Sequence, residues 1–97
     1  MKLVSSYQKG HRMPATQEAI DKALAYDSQW SPGVKSLIKW QFGLHGEFQQ
    51  ALWNAIKCAD EDNLSRLYRS FPAEVLAFHQ WIYGDLAEKL RESGLGI

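Results

Sequence analysis

The placement of proline constrains this chain more than any other feature. Pro32 and Pro72 each stand where an apolar pattern of helical period begins, and Pro14 precedes a third such pattern. Proline is tolerated in the first turn of a helix, where its missing N–H has no partner to lose, but it breaks a helix interior. The chain is therefore divided into short helices, and no heptad run survives long enough for an extended coiled coil.

The segments between these marks read as helices one after another. Thr16 is placed to cap "QEAIDKALAYD", where Ile20, Ala23, Leu24 and Asp27 fall at i, i+3, i+4 and i+7. Ser31 before Pro32 caps the next segment, in which Val34, Leu37, Ile38 and Phe42 suit a helix ending near Gly43. A third runs from Leu44 through Phe48, Leu52, Ala55 and Ile56 to Ala59, with Trp53 off the centre of the stripe. Asp60 or Asp62 opens a fourth, with Leu64, Leu67, Tyr68 and Phe71 on one face. Phe71 precedes proline and is disfavoured in the helical region, so it should plug a corner between two helices. The fifth carries two apolar stripes, Val75/Phe78/Ile82 and Leu76/His79/Tyr83, and stops or bends at Gly84. A last short helix turns Leu86 and Leu90 inward, pairs Asp85 with Lys89, and ends at Gly94. Two more acid-first i, i+4 pairings, Glu18 with Lys22 and Asp62 with Arg66, support solvated outer faces.

The expected fold is all-α: a compact bundle of five or six short helices over residues 14–97, preceded by a basic arm over residues 1–13. "KLVSSYQ" in that arm has β character but no second strand to pair with, so an extended or disordered arm is expected. With 97 residues the chain suffices for one domain.

Charge and cysteine content narrow the function. The formal net charge is zero, which argues against a strongly basic nucleic-acid binder and against an acidic mimic of one. The charge is uneven, however: Lys2, Lys9 and Arg12 precede the first acid, Glu18, so the rest of the chain carries the compensating acidic excess. Cys58 is the sole cysteine, so no internal disulfide forms, which suits a reducing cytoplasm. No uncharged run approaches the roughly 18 residues needed to span a bilayer, so no membrane role is expected.

No constellation for chemistry stands out. Of the three histidines and one cysteine, His45, Cys58 and His79 are the candidate metal ligands, and their separations match no compact metal-binding pair. Cys58 lies beside Ala55 and Ala59 at the edge of an apolar stripe, where a buried, inert thiol is expected. The expectation is a non-enzyme without metal or cofactor. Residues 61–83 have the outline of a helix-turn-helix, but the second helix has no Lys or Arg between Pro72 and Asp85 with which to meet phosphates. Nucleic-acid association therefore remains only as an alternative, through Lys2, Lys9 and Arg12 with Arg66 and Arg69.

Aromatic residues are the one excess. Four tryptophans are many for a core of this size, and interfaces are enriched in tryptophan. Trp40, Trp53, Trp81 and Tyr83 are the candidate partner-binding residues, with a homodimer seam as one form such a surface could take.

The stretch "FQQALWNAIKCADEDNLSRLYRSFPAEVLAFHQW" resembles small helical phage and prophage proteins. The positions that carry the resemblance are Phe48, Ala51, Leu52, Ala59, Asp60, Asn63, Leu64, Leu67, Phe71, Pro72, Glu74, Val75, Ala77 and Trp81. They are structural, and no functional residue comes with them. The resemblance implies a modulator that binds a host protein, such as a defence or nucleic-acid-processing complex.

Overall fold

Local capping decides where each helix begins. In the computed structural model, which describes residues 15–96, Thr16 Oγ1 accepts from the Ala19 N–H at 3.0 Å and starts α1, Gln17–Leu24. Ser31 Oγ accepts from the Val34 N–H at 3.3 Å and starts α2, Pro32–Gln41. After α3, Glu47–Cys58, the Asp60 carboxylate accepts from the Asn63 N–H at 2.9 Å and starts α4, Glu61–Ser70. These are the side-chain oxygens that satisfy the orphan N–H groups of a first helical turn. Then come α5, Pro72–Tyr83, and α6, Leu86–Glu92. The described residues contain no strand, and the all-α bundle is the observed fold.

The corner at Phe71 and Pro72 follows from two backbone bonds. The Phe71 N–H donates to the Leu67 carbonyl at 2.7 Å, closing α4, while the Phe71 carbonyl accepts from Val75 at 3.1 Å, opening α5. Phe71 itself leaves the helical region, at φ −133° and ψ 57°, as a residue before proline tends to. Its side chain is only half-buried, with the ring 6.3 Å from that of Phe48. Phe71 thus rests on the core edge and does not fill the core.

At the other end of the chain, α6 closes with a Schellman arrangement. Gly94, at φ +84°, donates to Arg91 O at 3.0 Å, and Leu95 donates to Leu90 O at 3.2 Å. The turn folds Leu95 back into the core beside Leu90, both fully buried. Asp85 and Lys89 form the expected surface pair at 3.6 Å. The pairings expected of Glu18 with Lys22 and of Asp62 with Arg66 do not form. Gln17 bonds Asp21 at 2.9 Å instead, and Arg66 reaches Asn63 Oδ1 at 3.5 Å.

The hub is α5, which packs on α2, α3, α4 and α6. Its contact with α2 is the most extensive and depends on Gly33 lying against the Ala73 backbone. The core comprises Ile20 and Ala23 of α1, Val34, Leu37 and Ile38 of α2, Leu52, Trp53 and Ile56 of α3, Val75 and Ala77 of α5, and Leu86, Leu90 and Leu95 at the C-terminal end. One cross-link joins α1 to α2: the Lys35 ammonium donates to the Ala25 and Tyr26 carbonyls at 2.8 and 3.4 Å. A cation at the C-terminal carbonyls of a helix also complements the helix dipole.

One helix faces differently from what its periodicity predicts, and another is shorter. The apolar stripe of α3 is turned, so that Trp53 points inward with Leu52 and Ile56, while Ala55, Phe48 and the preceding Leu44 are exposed. The expected α1 stripe ends early: the helix stops at Leu24, and Tyr26 and Asp27 lie on the surface. The arm, with Lys2, Lys9 and Arg12, lies outside the described residues.

Candidate protein-interaction surface

The tryptophans are assembled around one of their own number. Trp53 is 0% exposed. Trp40 stacks on it, with centroids 5.1 Å apart and planes 10° from parallel. Trp81 meets Trp40 edge-on at 5.7 Å and 80°, and Phe78 meets Trp81 at 6.2 Å and 61°. Offset-stacked and edge-to-face pairs are the arrangements that aromatic quadrupoles favour. Burying indole requires a partner for its N–H, and Ser36 Oγ on α2 accepts it at 2.9 Å. This overturns the assignment of Trp53 to a partner surface: its side chain is core. Trp40 and Trp81 are half-buried, each giving a ring face or edge to this cluster.

Ser36 is held in turn by His45. The imidazole Nε2 lies 2.8 Å from the Ser36 carbonyl oxygen and 3.2 Å from Ser36 Oγ. A carbonyl only accepts, so Nε2 carries the proton and donates to it. In that tautomer Nε2 is no base for the hydroxyl, which already accepts from Trp53. The serine and histidine therefore pin the loop after α2 to the tryptophan cluster. Nothing in the sequence signalled this: Ser36 and His45 lie on opposite sides of a turn, and neither belongs to a motif.

Cys58 is exposed, contrary to the buried thiol expected, because the turn of α3 carries it away from the core with Ala55. His79 is also exposed, with its ring 4.9 Å from that of Tyr83. Among the described residues no three His, Cys, Asp or Glu side chains converge on a common point. No described helix is long and apolar enough to cross a membrane. Arg66 and Arg69 are exposed on α4, in line with Asp62, so an acid flanks the basic edge.

Beyond Tyr26, Leu44, Phe48 and Tyr68, the exposed large apolar side chains lie along α5. Pro72, Leu76, His79 and Tyr83 recur at i, i+4, i+7 and i+11, one line on the outer side of the hub helix. Leu76 is 49% exposed, Ile82 50% and Tyr83 77%. From Val75 to Gly84 no side chain carries a formal charge, with histidine neutral. Beside this line a groove of about 300 Å³ runs between α3, α4 and α5, with Leu64, Phe78, Ile82 and Tyr83 as walls and Lys57 and Glu61 at its rim. Leu64 and Glu61 also border a wider, shallower depression of about 620 Å³ that continues to Tyr68 and Val75. Of the four residues named from the sequence, Tyr83 is thus the one freely presented to a partner. Leu76 and Ile82 join it; the stripes they belong to are visible in the sequence, but not which stripe faces out.

Comparison with protein-family models, with curated proteins and with solved structures finds no match to this chain.

Proposed function

We propose that this protein is a non-catalytic helical interaction module that binds another protein through the outer side of α5 and the adjoining groove. One observation carries the reading: the hub helix is apolar on its solvent side as well as its core side. A helix apolar all round belongs in an interior, and exposed apolar surface rimmed by polar groups marks an interaction site. Its four helical neighbours account for the inward residues, but not for Leu76, Ile82 and Tyr83. Tyr83 supplies the kind of large amphipathic side chain that anchors interfaces.

The resemblance of residues 48–81 to phage-type proteins favours a host protein as the partner, and a modulator acting by surface occupancy as the role. Affinity capture from a host lysate with the full chain tests this. A partner retained by the native chain and lost with Leu76→Asp, Ile82→Asp and Tyr83→Ala combined, at unchanged helicity, supports it. Capture unaltered by that combination refutes it. Nucleic-acid association through Arg66, Arg69 and the basic arm is the competing reading, and the two separate in a salt titration of DNA binding.

A further inference from the structure

We propose that two copies of this chain pair across the groove between α3 and α4, each inserting Phe48 into a depression on the other. This face uses none of the residues of the exposed line along α5.

A knob and a hole lie on the same face. Both α3 and α4 rest on α5 but hardly touch each other. Phe48, Ala51, Ala55 and Cys58 recur on α3 at i, i+3, i+7 and i+10, and all are exposed. At one end of this line the Phe48 ring is 65% exposed, braced on one side by the Phe71 ring at 6.3 Å. At the other end is a depression of about 380 Å³ lined by Ala55, Cys58 and Ala59 and, across the groove, by Asn63, Arg66 and Leu67. It exceeds the roughly 150 Å³ that holds a benzene ring. Phe48 is seven positions from Ala55 and ten from Cys58, about 10–15 Å along the helix. A two-fold axis across the middle of α3 sets the two α3 helices antiparallel and exchanges their ends. Both phenyl rings then enter holes at once, and the contact closes on itself.

Charge complementarity selects a second copy as the occupant. From Phe48 to Ile56 no residue is charged. Glu47 stands beside the knob, and Arg66 is the one charged side chain lining the hole. Lys57, Asp60 and Glu61 border the groove beside α5 instead, and Asp62 and Arg69 the depression that continues from it. Glu47 forms no ion pair among the described residues, and Arg66 reaches the neutral Asn63 Oδ1 at 3.5 Å. The exchange of ends carries Glu47 of each copy to the rim where the partner's Arg66 stands, twice per dimer. One acid at one end and one cation at the other make the face complementary to itself, which fixes the antiparallel orientation.

Sedimentation equilibrium of the full chain over a wide range of concentration tests this, with a monomer–dimer equilibrium as the expected result. Phe48→Asp should abolish the dimer at unchanged helicity. Glu47→Arg and Arg66→Glu should each weaken it about tenfold, because each breaks two surface pairs, and the two together should restore it. The Cys58 thiol, exposed in the single copy, should react more slowly with a maleimide as the protein is concentrated, because the partner's Phe48 covers it. A chain that stays monomeric overturns the proposal. So does a dimer indifferent to Phe48→Asp, a dimer that the double exchange leaves as weak as either single one, and a dimer in which Cys58 reacts at the monomer's rate. A dimer kept with Phe48→Asp but lost with Ile82→Asp and Tyr83→Ala also overturns it and assigns the seam to α5. The capture experiment, which reads loss of an external partner, judges the α5 surface separately.

Discussion

Gly33→Ala sets two forces against each other and has an unambiguous sign. Gly33 lies in the first turn of α2, and no positive φ protects it. Local physics alone favours alanine. It gains up to about 1 kcal/mol in helix propensity and restricts the unfolded chain by about 0.4–1 kcal/mol, two views of largely the same entropy. Packing opposes this. A Cβ on Gly33 would lie 2.8 Å from the Ala73 carbonyl carbon, closer still to its oxygen, and 3.2 Å from the Ala73 Cβ. Carbon atoms prefer separations of about 3.5–4.0 Å, so α2 and α5 would have to part by something approaching 1 Å. The obstacle is backbone, so no rotamer change relieves it. A gap of that size forfeits about a quarter to a half of each dispersion contact across the interface, here the most extensive in the molecule. Overpacking of this kind costs about 1–3 kcal/mol or somewhat more. Because the obstacle is the Ala73 backbone, the cost falls in the upper part of that range, about 2–3 kcal/mol, and subtracting a propensity gain of about 1 kcal/mol leaves a net destabilisation of about 1–2 kcal/mol. For a domain of this size that lowers Tm by about 4–8 °C per kcal/mol. Urea unfolding followed by far-UV circular dichroism measures it, with an unchanged m-value as the sign that the two-state transition is intact. A midpoint equal to or above that of the native chain would show that α2 and α5 do not approach as closely as described.

Other substitutions probe the remaining features. Trp53→Phe removes the indole N–H, leaves Ser36 without that donor, and opens space under Trp40; it should cost about 2–3 kcal/mol in thermal or urea unfolding, whereas Trp53→Ala should cost about 3–5. Phe71→Ala should cost about 1–3 kcal/mol in the same assay, below the range for a fully buried ring, because the side chain is only half-buried; a loss above 4 would place Phe71 in the core after all. Asp60→Ala removes the α4 cap and should cost about 1 kcal/mol in urea unfolding, with Asp60→Ser close to neutral. Ile82→Asp and Tyr83→Ala should each change stability by no more than about 0.5 kcal/mol while lowering partner capture, and a large stability loss for either would assign that side chain to the fold instead.

The elements that could be read from the sequence are those made by short-range bonds. Thr16 and Ser31 cap the helices they were expected to cap, Asp60 is the one of the two candidate aspartates that caps α4, Pro32 and Pro72 begin their helices, and Gly94 ends the last. Each of these depends on atoms within five residues, so the sequence contains both partners of every bond. The facing of α3 was not readable in this way. Trp53 stands one position from Leu52 and lies next to the stripe, and either side of that helix is apolar enough to be chosen. Burying an indole requires an acceptor, and Ser36 provides it only after α2 and α3 have packed. That choice then exposes Cys58, Phe48 and Leu44. The two stripes of α5 pose the same ambiguity, since Val75/Phe78/Ile82 and Leu76/His79/Tyr83 are nearly equal in apolar content.

The sequence by itself determined the helical class, five or six as the number of helices, and most of their starting points, because proline, capping side chains and the 3.6-residue period act locally. Tertiary structure alone decided which faces of α3 and α5 are inside. That outcome depends on the close approach at Gly33, on the stacking of Trp40 over Trp53 and on the hydrogen bonds at Ser36, all formed between residues distant in sequence. It was this choice that moved Trp53 from the expected interaction surface into the core and left Tyr83, Ile82 and Leu76 on the outside.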